Sequence, residues 1–218
     1  MSGAPEALDP PVPIWDPLVR LTHWGIALGV LSNAAVNTGG KFVHVSIGWA
    51  VLGLLALRLA WGLVGPAEAR FGAFPPNPRA AIRHLRELLR GRVSRYPSHN
   101  PAGALMVYAF WATLMVVILT GIGITGTTPL GVARREAAIA QGDWSVIAAE
   151  TPLFSTATSD ALKAVHPLAG NLLLVLAALH VLGVFVESRA MRVNLVRPMI
   201  RGRRQGARDV PPGSGGPR

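Results

Sequence analysis

The 218-residue chain contains no cysteine. This absence excludes disulfide bonds, cysteine-bound iron–sulfur clusters, thiolate zinc sites and covalent haem attachment through a CxxCH motif. The first residues, MSGAPEALDPPVPIWDP, also lack the basic start and apolar core of a cleaved signal peptide. We therefore expect any insertion into a membrane to depend on the apolar segments of the chain itself.

Hydrophobic residues make up 50% of the chain and the mean hydropathy is +0.39, yet the net charge is +10. A soluble domain rarely combines these properties, whereas a membrane protein with basic edges does so naturally. A nucleic-acid-binding protein would explain the charge, but it would not explain the long apolar runs, and no basic helix with interleaved aromatic residues is present. The composition thus predicts an integral membrane protein that binds no nucleic acid.

Four apolar segments, at about residues 21–36, 43–64, 103–125 and 162–186, predict an all-α bundle of four transmembrane helices. The last three have the ~20 residues that a bilayer requires, and the first needs flanking residues to reach that length. Asn100 and Pro101 form a helix-start signal for the third. Residues 79–90 are basic with leucines and Ile82 on one face, which predicts a helix in the membrane interface, and residues 206–218 are expected to be disordered.

The basic residues predict the orientation of this bundle. Seven arginines lie between the second and third apolar segments and eight follow the fourth. The turn between the first two segments has only Lys41, and the loop after the third segment carries balanced charges. By the positive-inside rule, both termini are expected in the cytoplasm.

Four histidines lie in or at the ends of the apolar segments: His23, His44, His166 and His180. Ionisable side chains in a membrane are costly and indicate function by default. A single one could equally be a hydrogen-bonded core residue, but four need a common explanation. The other two, His84 and His99, lie in the basic segment and are expected to be solvated, although His99 could approach the inner end of the bundle.

Topology sorts the four histidines into two pairs. His180 follows His166 by fourteen residues, which is about four helical turns on one face and a rise of roughly 21 Å. In the predicted bundle, His44 and His166 then lie near the outer face, and His23 and His180 near the cytoplasmic face. Two facing imidazoles suit a bis-histidine haem. Zinc or copper would also bind histidine, but they usually need three or four ligands.

Small residues and one arginine accompany the histidines. One turn after each histidine lies a small residue that would leave room for a flat porphyrin, namely Ala27, Gly48, Gly170 and Gly183. Small residues are also common in membrane helices for packing alone. Arg58 follows His44 by fourteen residues, so it could bind a propionate of the inner haem or extend to the lipid headgroups.

Several stretches resemble the bacterial cytochrome b561 family, which is related to the cytochrome b subunits of nickel–iron hydrogenases. They include WDPLVRLTHW, HVSIGW, LRLAWGLVGPAEARF, SHNPAGALMV, HPLAGNLLLVLAALH and NLVRPMIRGRR, and the resemblance covers residues 12–205. It implies a four-helix domain in the bacterial inner membrane, with two haem b groups held by His23, His44, His166 and His180. It also implies electron exchange with a quinone. His99 could approach the inner haem or the headgroup of that quinone. The loop 126–160 is longer than in the simplest members and could form an outer docking surface with Trp144 and Phe154.

These observations leave several functions open. The chain could carry electrons between the quinone pool and a partner, either a periplasmic cytochrome c or a subunit of a dehydrogenase or hydrogenase. It could be a stand-alone quinone oxidoreductase that acts on superoxide, an activity attributed to some relatives. A metal-ion transporter with histidine pairs is the alternative from another class. Whether the chain is itself an enzyme stays open, but no nucleotide-binding fold or cysteine cluster points to primary substrate chemistry.

Overall fold

The computed structural model describes residues 16–35, 37, 39–92, 96, 99–148 and 153–202. Within these ranges the chain is helical and contains no strand. Both the expected disorder of residues 206–218 and the predicted start of the domain at residue 12 lie outside the described residues. The helices are α1 (Pro17–Ala35), α2 (Phe42–Val64), α3 (Pro78–Leu89), α4 (Pro101–Thr125), α5 (Pro129–Ala140), α6 (Ser145–Ala148), α7 (Thr156–Met191) and α8 (Val196–Arg201), with two 3-10 turns, Ala67–Ala69 and Phe71–Ala73, between α2 and α3.

Three segments are long and apolar enough to cross a membrane: α2, α7 and the segment Pro101–Ala140, which begins with α4. Their length and composition agree with three of the four predicted spans. Helix α1 is not among them. Its 19 residues include an arginine, a histidine and an asparagine, which lower its mean hydropathy. The count of four spans and the cytoplasmic position of the termini therefore stay predictions.

Polar side chains define where the long helices begin. The Asn100 side chain accepts a hydrogen bond from the backbone N–H of Gly103 at 2.7 Å, and Pro101 follows it as the first helical residue. This confirms the helix start that the sequence predicts. Helix α7 begins at Thr156, earlier than expected, because Ser155 caps it. It stays helical through Pro167, which removes one backbone N–H donor.

The long helices pack as two hairpin-like pairs, α1 on α2 and α4 on α7, and α2 joins them by contacting α4. Gly25 and Gly29 of α1 permit the close approach to α2. A Cβ atom on Gly25 would lie 2.7 Å from Leu54 Cδ1, and one on Gly29 would lie 2.6 Å from Val51 Cγ2. Small residues at four-residue spacing commonly bring membrane helices together in this way.

The shorter helices lie at the ends of this bundle. Helix α3 matches the predicted interfacial helix within one residue at each end, and it packs on α4. Its side chains Ile82, Leu85 and Leu89 are exposed, as an interfacial helix requires. Helix α5, which the sequence analysis did not predict, packs against α2. There the Glu136 carboxylate accepts a hydrogen bond from the Phe42 backbone N–H at 3.1 Å, at the start of α2.

Helix α8 is fastened to the beginning of α1. The Arg20 guanidinium donates to the Ile200 carbonyl at 3.0 Å, and the Trp24 indole N–H donates to the Met199 carbonyl at 3.0 Å. These two donors satisfy carbonyl groups at the end of α8, which have no partner within the helix. The C-terminal segment thus lies beside the residue that follows His23.

Candidate cofactor sites

The structure brings the four histidines of the apolar segments together as two pairs. The ring centroids of His23, on α1, and His180, on α7, lie 6.2 Å apart. Those of His44, on α2, and His166, on α7, also lie 6.2 Å apart. These are the same two pairs that the histidine spacing predicts, and we call them the His23/His180 pair and the His44/His166 pair.

The spacing within each pair suits two imidazoles on opposite sides of one metal ion. An atom of a five-membered ring with bonds of about 1.33 Å lies roughly 1.1 Å from the ring centre. A metal–imidazole bond is about 2.0 Å long, so two such rings have centroids roughly 6.3 Å apart. Both observed distances are 6.2 Å. The separation of the rings is therefore compatible with the binding of one metal ion by both imidazoles of a pair.

Each pair offers two nitrogen ligands. Among the described residues, no group of three or more histidine, aspartate or glutamate side chains is placed to hold a metal ion. A bare zinc or copper ion usually needs three or four protein ligands. Two ligands suffice for a cofactor that brings the remaining ligands to the metal itself, as a haem does.

Open space lies beside the His44/His166 pair. Gly48 and Gly170, one turn after the two histidines, are half-buried, yet a Cβ atom on either would find no heavy atom within 4 Å. Gly183, one turn after His180, also has open space, but it is exposed. The two half-buried glycines therefore leave unfilled space one helical turn after His44 and His166.

An apolar layer separates the two pairs. Helix α7 is continuous from His166 to His180, so the fourteen-residue spacing corresponds to a rise of roughly 21 Å. Leu173 lies halfway between these histidines and packs in one buried cluster with Val51, Leu55, Leu114 and Ile118. Leu55 has no exposed surface. The cluster gives the centre of the bundle a dry, low-dielectric filling.

Helix α4 supplies hydrogen-bond partners to His166. The Nδ1 atom of His166 lies 3.0 Å from the Val117 carbonyl oxygen and 3.0 Å from the Thr120 hydroxyl oxygen. Because a carbonyl can only accept, Nδ1 carries a proton, and in the neutral ring Nε2 is the nitrogen that can bind a metal. Gly121 lies against the same ring, since a Cβ atom there would be 3.0 Å from His166 Cε1.

Neither Thr120 nor Gly121 is among the site residues predicted above from the sequence. The signal was present, because a threonine and a glycine stand side by side in an otherwise apolar stretch, VVILTGIGI. Hydroxyl and small residues at such positions often mark helix contacts in membranes.

Arg58 lies in the interior of the protein. Its side chain is 5% exposed, and both terminal nitrogens approach the Ala69 carbonyl oxygen, at 3.4 and 3.3 Å. The guanidinium carbon also lies 5.2 Å from the centre of a Trp111 ring, within the range of a cation–π contact. Arg58 therefore does not extend to the surface, and its contact with a haem propionate stays a prediction.

The expectation that His84 is solvated was wrong. Its side chain is 3% exposed, because α3 turns this face toward α4 and the end of α7. His84 Nε2 lies 3.6 Å from Glu187 Oε1, and the Asn100 amide donates to Glu187 Oε2 at 2.6 Å. The cluster therefore joins α3, the start of α4 and α7.

His99 is also less solvated than expected. Its ring lies 4.6 Å from the Phe74 ring, between α3 and α4. Burial, followed by the nearby Arg58, His180 and His23, lowers the pKa of His99 to about 4. The ring is therefore neutral at pH 7. The influence of His180 and His23 indicates that this ring lies on the side of the bundle that holds the His23/His180 pair.

Comparison with known proteins identifies the family of the chain. A family model described as prokaryotic cytochrome b561 matches residues 14–202, a range that contains both histidine pairs. The chain belongs to the prokaryotic cytochrome b561 family. No curated protein and no solved structure matches it. Family membership makes this cytochrome b561 a multi-pass membrane protein that carries electrons with haem b.

The side chains of this cytochrome b561 fit the haem that its family implies. Each pair presents two imidazoles at the separation expected for axial ligands. The half-buried glycines leave space beside one pair. The exposed apolar residues of α7, including Leu168, Leu172 and Leu179, are compatible with contact to lipid or to a large apolar cofactor.

Proposed function

We propose that this cytochrome b561 conducts electrons across a bacterial inner membrane through two haem b groups. The His44/His166 pair would hold one and the His23/His180 pair the other. The equal ring separation of 6.2 Å in both pairs is the observation that carries this proposal. Haem b supplies a reversible one-electron iron couple when bound.

The chain's own residues favour a carrier over an oxygen-activating enzyme. In each site two imidazoles would hold the haem iron, which is the ligand set of electron-transfer haems and not of sites that bind a small ligand. The apolar cluster around Leu55 and Leu173 excludes water between the sites. The buried cation of Arg58 would bind a propionate of the haem at the His23/His180 pair and favour the reduced state of that site.

Four spans and cytoplasmic termini belong to the same proposal. Helix α1 has 19 residues, a length of about 28 Å, which approaches the ~30 Å of a bilayer core. It also packs along α2 through Gly25 and Gly29, which supports its insertion beside that helix. The arginines of α3 and of the C-terminal segment then face the cytoplasm and assign the His23/His180 pair to that side.

We further propose that the carrier connects the quinone pool with a second redox protein. The resemblance to cytochrome b561 relatives supports the quinone. On the outer side, α5 and the residues around it expose Leu130, Trp144 and Phe154. Such exposed apolar side chains are suited to contact with a partner protein, either a periplasmic cytochrome c or a dehydrogenase or hydrogenase subunit.

Transmembrane conduction is testable with protein reconstituted into liposomes that contain trapped ferricyanide. External dithionite, which does not cross the bilayer, is expected to bleach the trapped ferricyanide when the wild-type protein is present. Liposomes with the His44→Leu variant should bleach no faster than protein-free liposomes, because one of the two sites is lost. Wild-type liposomes that bleach at the protein-free rate would refute the proposed function.

A further inference from the structure

The four paired histidines differ in what holds their rings. The ring of His166 forms hydrogen bonds through Nδ1 with the Val117 carbonyl and the Thr120 hydroxyl. Within the described part of the chain, no hydrogen bond involves the rings of His23, His44 or His180, and the Nδ1 atoms of His23 and His44 are buried without a partner. The two sites are therefore chemically unequal, although their ring separations are equal.

The hydrogen bonds around Thr120 have a defined direction. The Thr120 hydroxyl donates to the Val116 carbonyl at 2.7 Å, with the Val117 carbonyl at 3.0 Å as a second acceptor. With its proton committed to the backbone, the hydroxyl oxygen is left to accept from His166 Nδ1–H. Thr120 is 7% exposed, so water does not compete for this contact. The Nδ1–H group of His166 thus donates to two acceptors on helix α4.

Such a contact changes the ligand that a histidine presents to a metal. An Nδ1–H group that donates to a carbonyl fixes the tautomer and makes Nε2 a stronger electron donor. A stronger donor stabilises the oxidised metal and lowers its reduction potential, because hydrogen bonding to axial ligands is one of the means by which a protein tunes a haem. At the His23/His180 pair, the described residues provide no such hydrogen bond, and His23 Nδ1 is buried without a partner.

We infer that Thr120 is a positioning residue that makes the His44/His166 site the lower-potential one of the two. The inference rests on the proposed function, since it needs two haem b sites. One electron then moves downhill from the His44/His166 site, which is oxidised, to the His23/His180 site, which is reduced. In the proposed orientation this direction is from the outer face to the cytoplasmic face.

The test is a potentiometric titration of the purified, haem-loaded Thr120→Val variant beside the wild type. Valine keeps the shape of the side chain and removes the hydroxyl. We expect the reduction equilibrium constant of the lower-potential haem to rise about twofold to tenfold, the upper value corresponding to ~59 mV for one electron. The higher-potential haem should be unchanged, and the low-temperature electron paramagnetic resonance signal of the shifted haem alone should move.

Two further variants separate the hydroxyl from the shape of the side chain. Thr120→Ser retains the hydroxyl and should keep the wild-type potentials. Thr113→Val removes another buried threonine hydroxyl from α4 and should also leave them unchanged. If Thr120→Val loses the haem, Thr120→Ala is titrated in its place. Loss of the same haem from both, with full content in Thr120→Ser, also supports the inference.

Three results would overturn the inference: unchanged potentials in Thr120→Val, a shift in the higher-potential haem, or an equal shift in Thr120→Ser. Assignment of the two potentials comes from His166→Leu, which should lack the lower one. A wild-type protein with a single haem would instead refute the proposed function, so the two failures are distinguishable.

Discussion

The His166→Leu variant is expected to bind one haem b instead of two. Leucine fills the volume of the imidazole but offers no ligand to the metal, and His44 would be left as the only donor of its pair. Loss of a metal ligand removes an interaction on which the whole site depends. The remaining haem should be the one at the His23/His180 pair, because the apolar cluster around Leu173 separates the two sites.

The other three ligand variants extend this prediction into a test of pairing. His44→Leu should lose the same haem as His166→Leu, and His23→Leu should lose the same haem as His180→Leu. The losses are measured by haem content and by the potential and absorption maximum of the haem that remains. His84→Gln is the matched control, because His84 is buried but lies outside both pairs, and it should retain two haems. Loss of one and the same haem from all four variants would mean that the pairing is wrong.

Gly170→Leu and Gly48→Leu are expected to empty the His44/His166 site without touching its ligands. Both glycines are half-buried beside open space, and a leucine side chain would extend into the volume that a porphyrin needs. Overpacking typically costs about 1–3 kcal/mol, which corresponds to roughly 5- to 150-fold weaker haem binding. The measurement is haem content after purification and titration of haem into the depleted protein.

The matched control for these glycines is Gly53→Leu. Gly53 lies on α2, as Gly48 does, and also has open space at its Cβ, but it is exposed at the surface of the bundle. A leucine there should face outward and leave both haems in place. If Gly53→Leu lowers haem content as much as Gly48→Leu, the effect belongs to the helix and not to a gap beside His44.

The pairing of the histidines was predictable because it depends on few variables. The fourteen-residue spacing of His166 and His180 fixes both their shared face and their separation along a helix. A hairpin of the first two helices then leaves each of these histidines with one partner at its own depth. The spans of α2, α4 and α7 were likewise predictable, since apolar length alone determines them.

The surroundings of the pairs were not predictable in the same way. The contact of Thr120 with His166 depends on how α4 is rotated about its axis, and a helix that is apolar on all sides carries no periodic signal for that rotation. The burial of His84 was missed for a related reason. Helix α3 is amphipathic, and its leucines suggested which side would be buried. The side that packs on α4 instead carries Ala81 and His84.

The number of haem b groups per chain tests the central claim most directly. A pyridine haemochromogen assay on the purified wild-type protein, set against protein mass from amino-acid analysis, gives this ratio without assumptions about function. Two equal histidine pairs predict two haem b per chain, with a sharp α-band after reduction by dithionite. A ratio of one, or a colourless protein, would contradict the account.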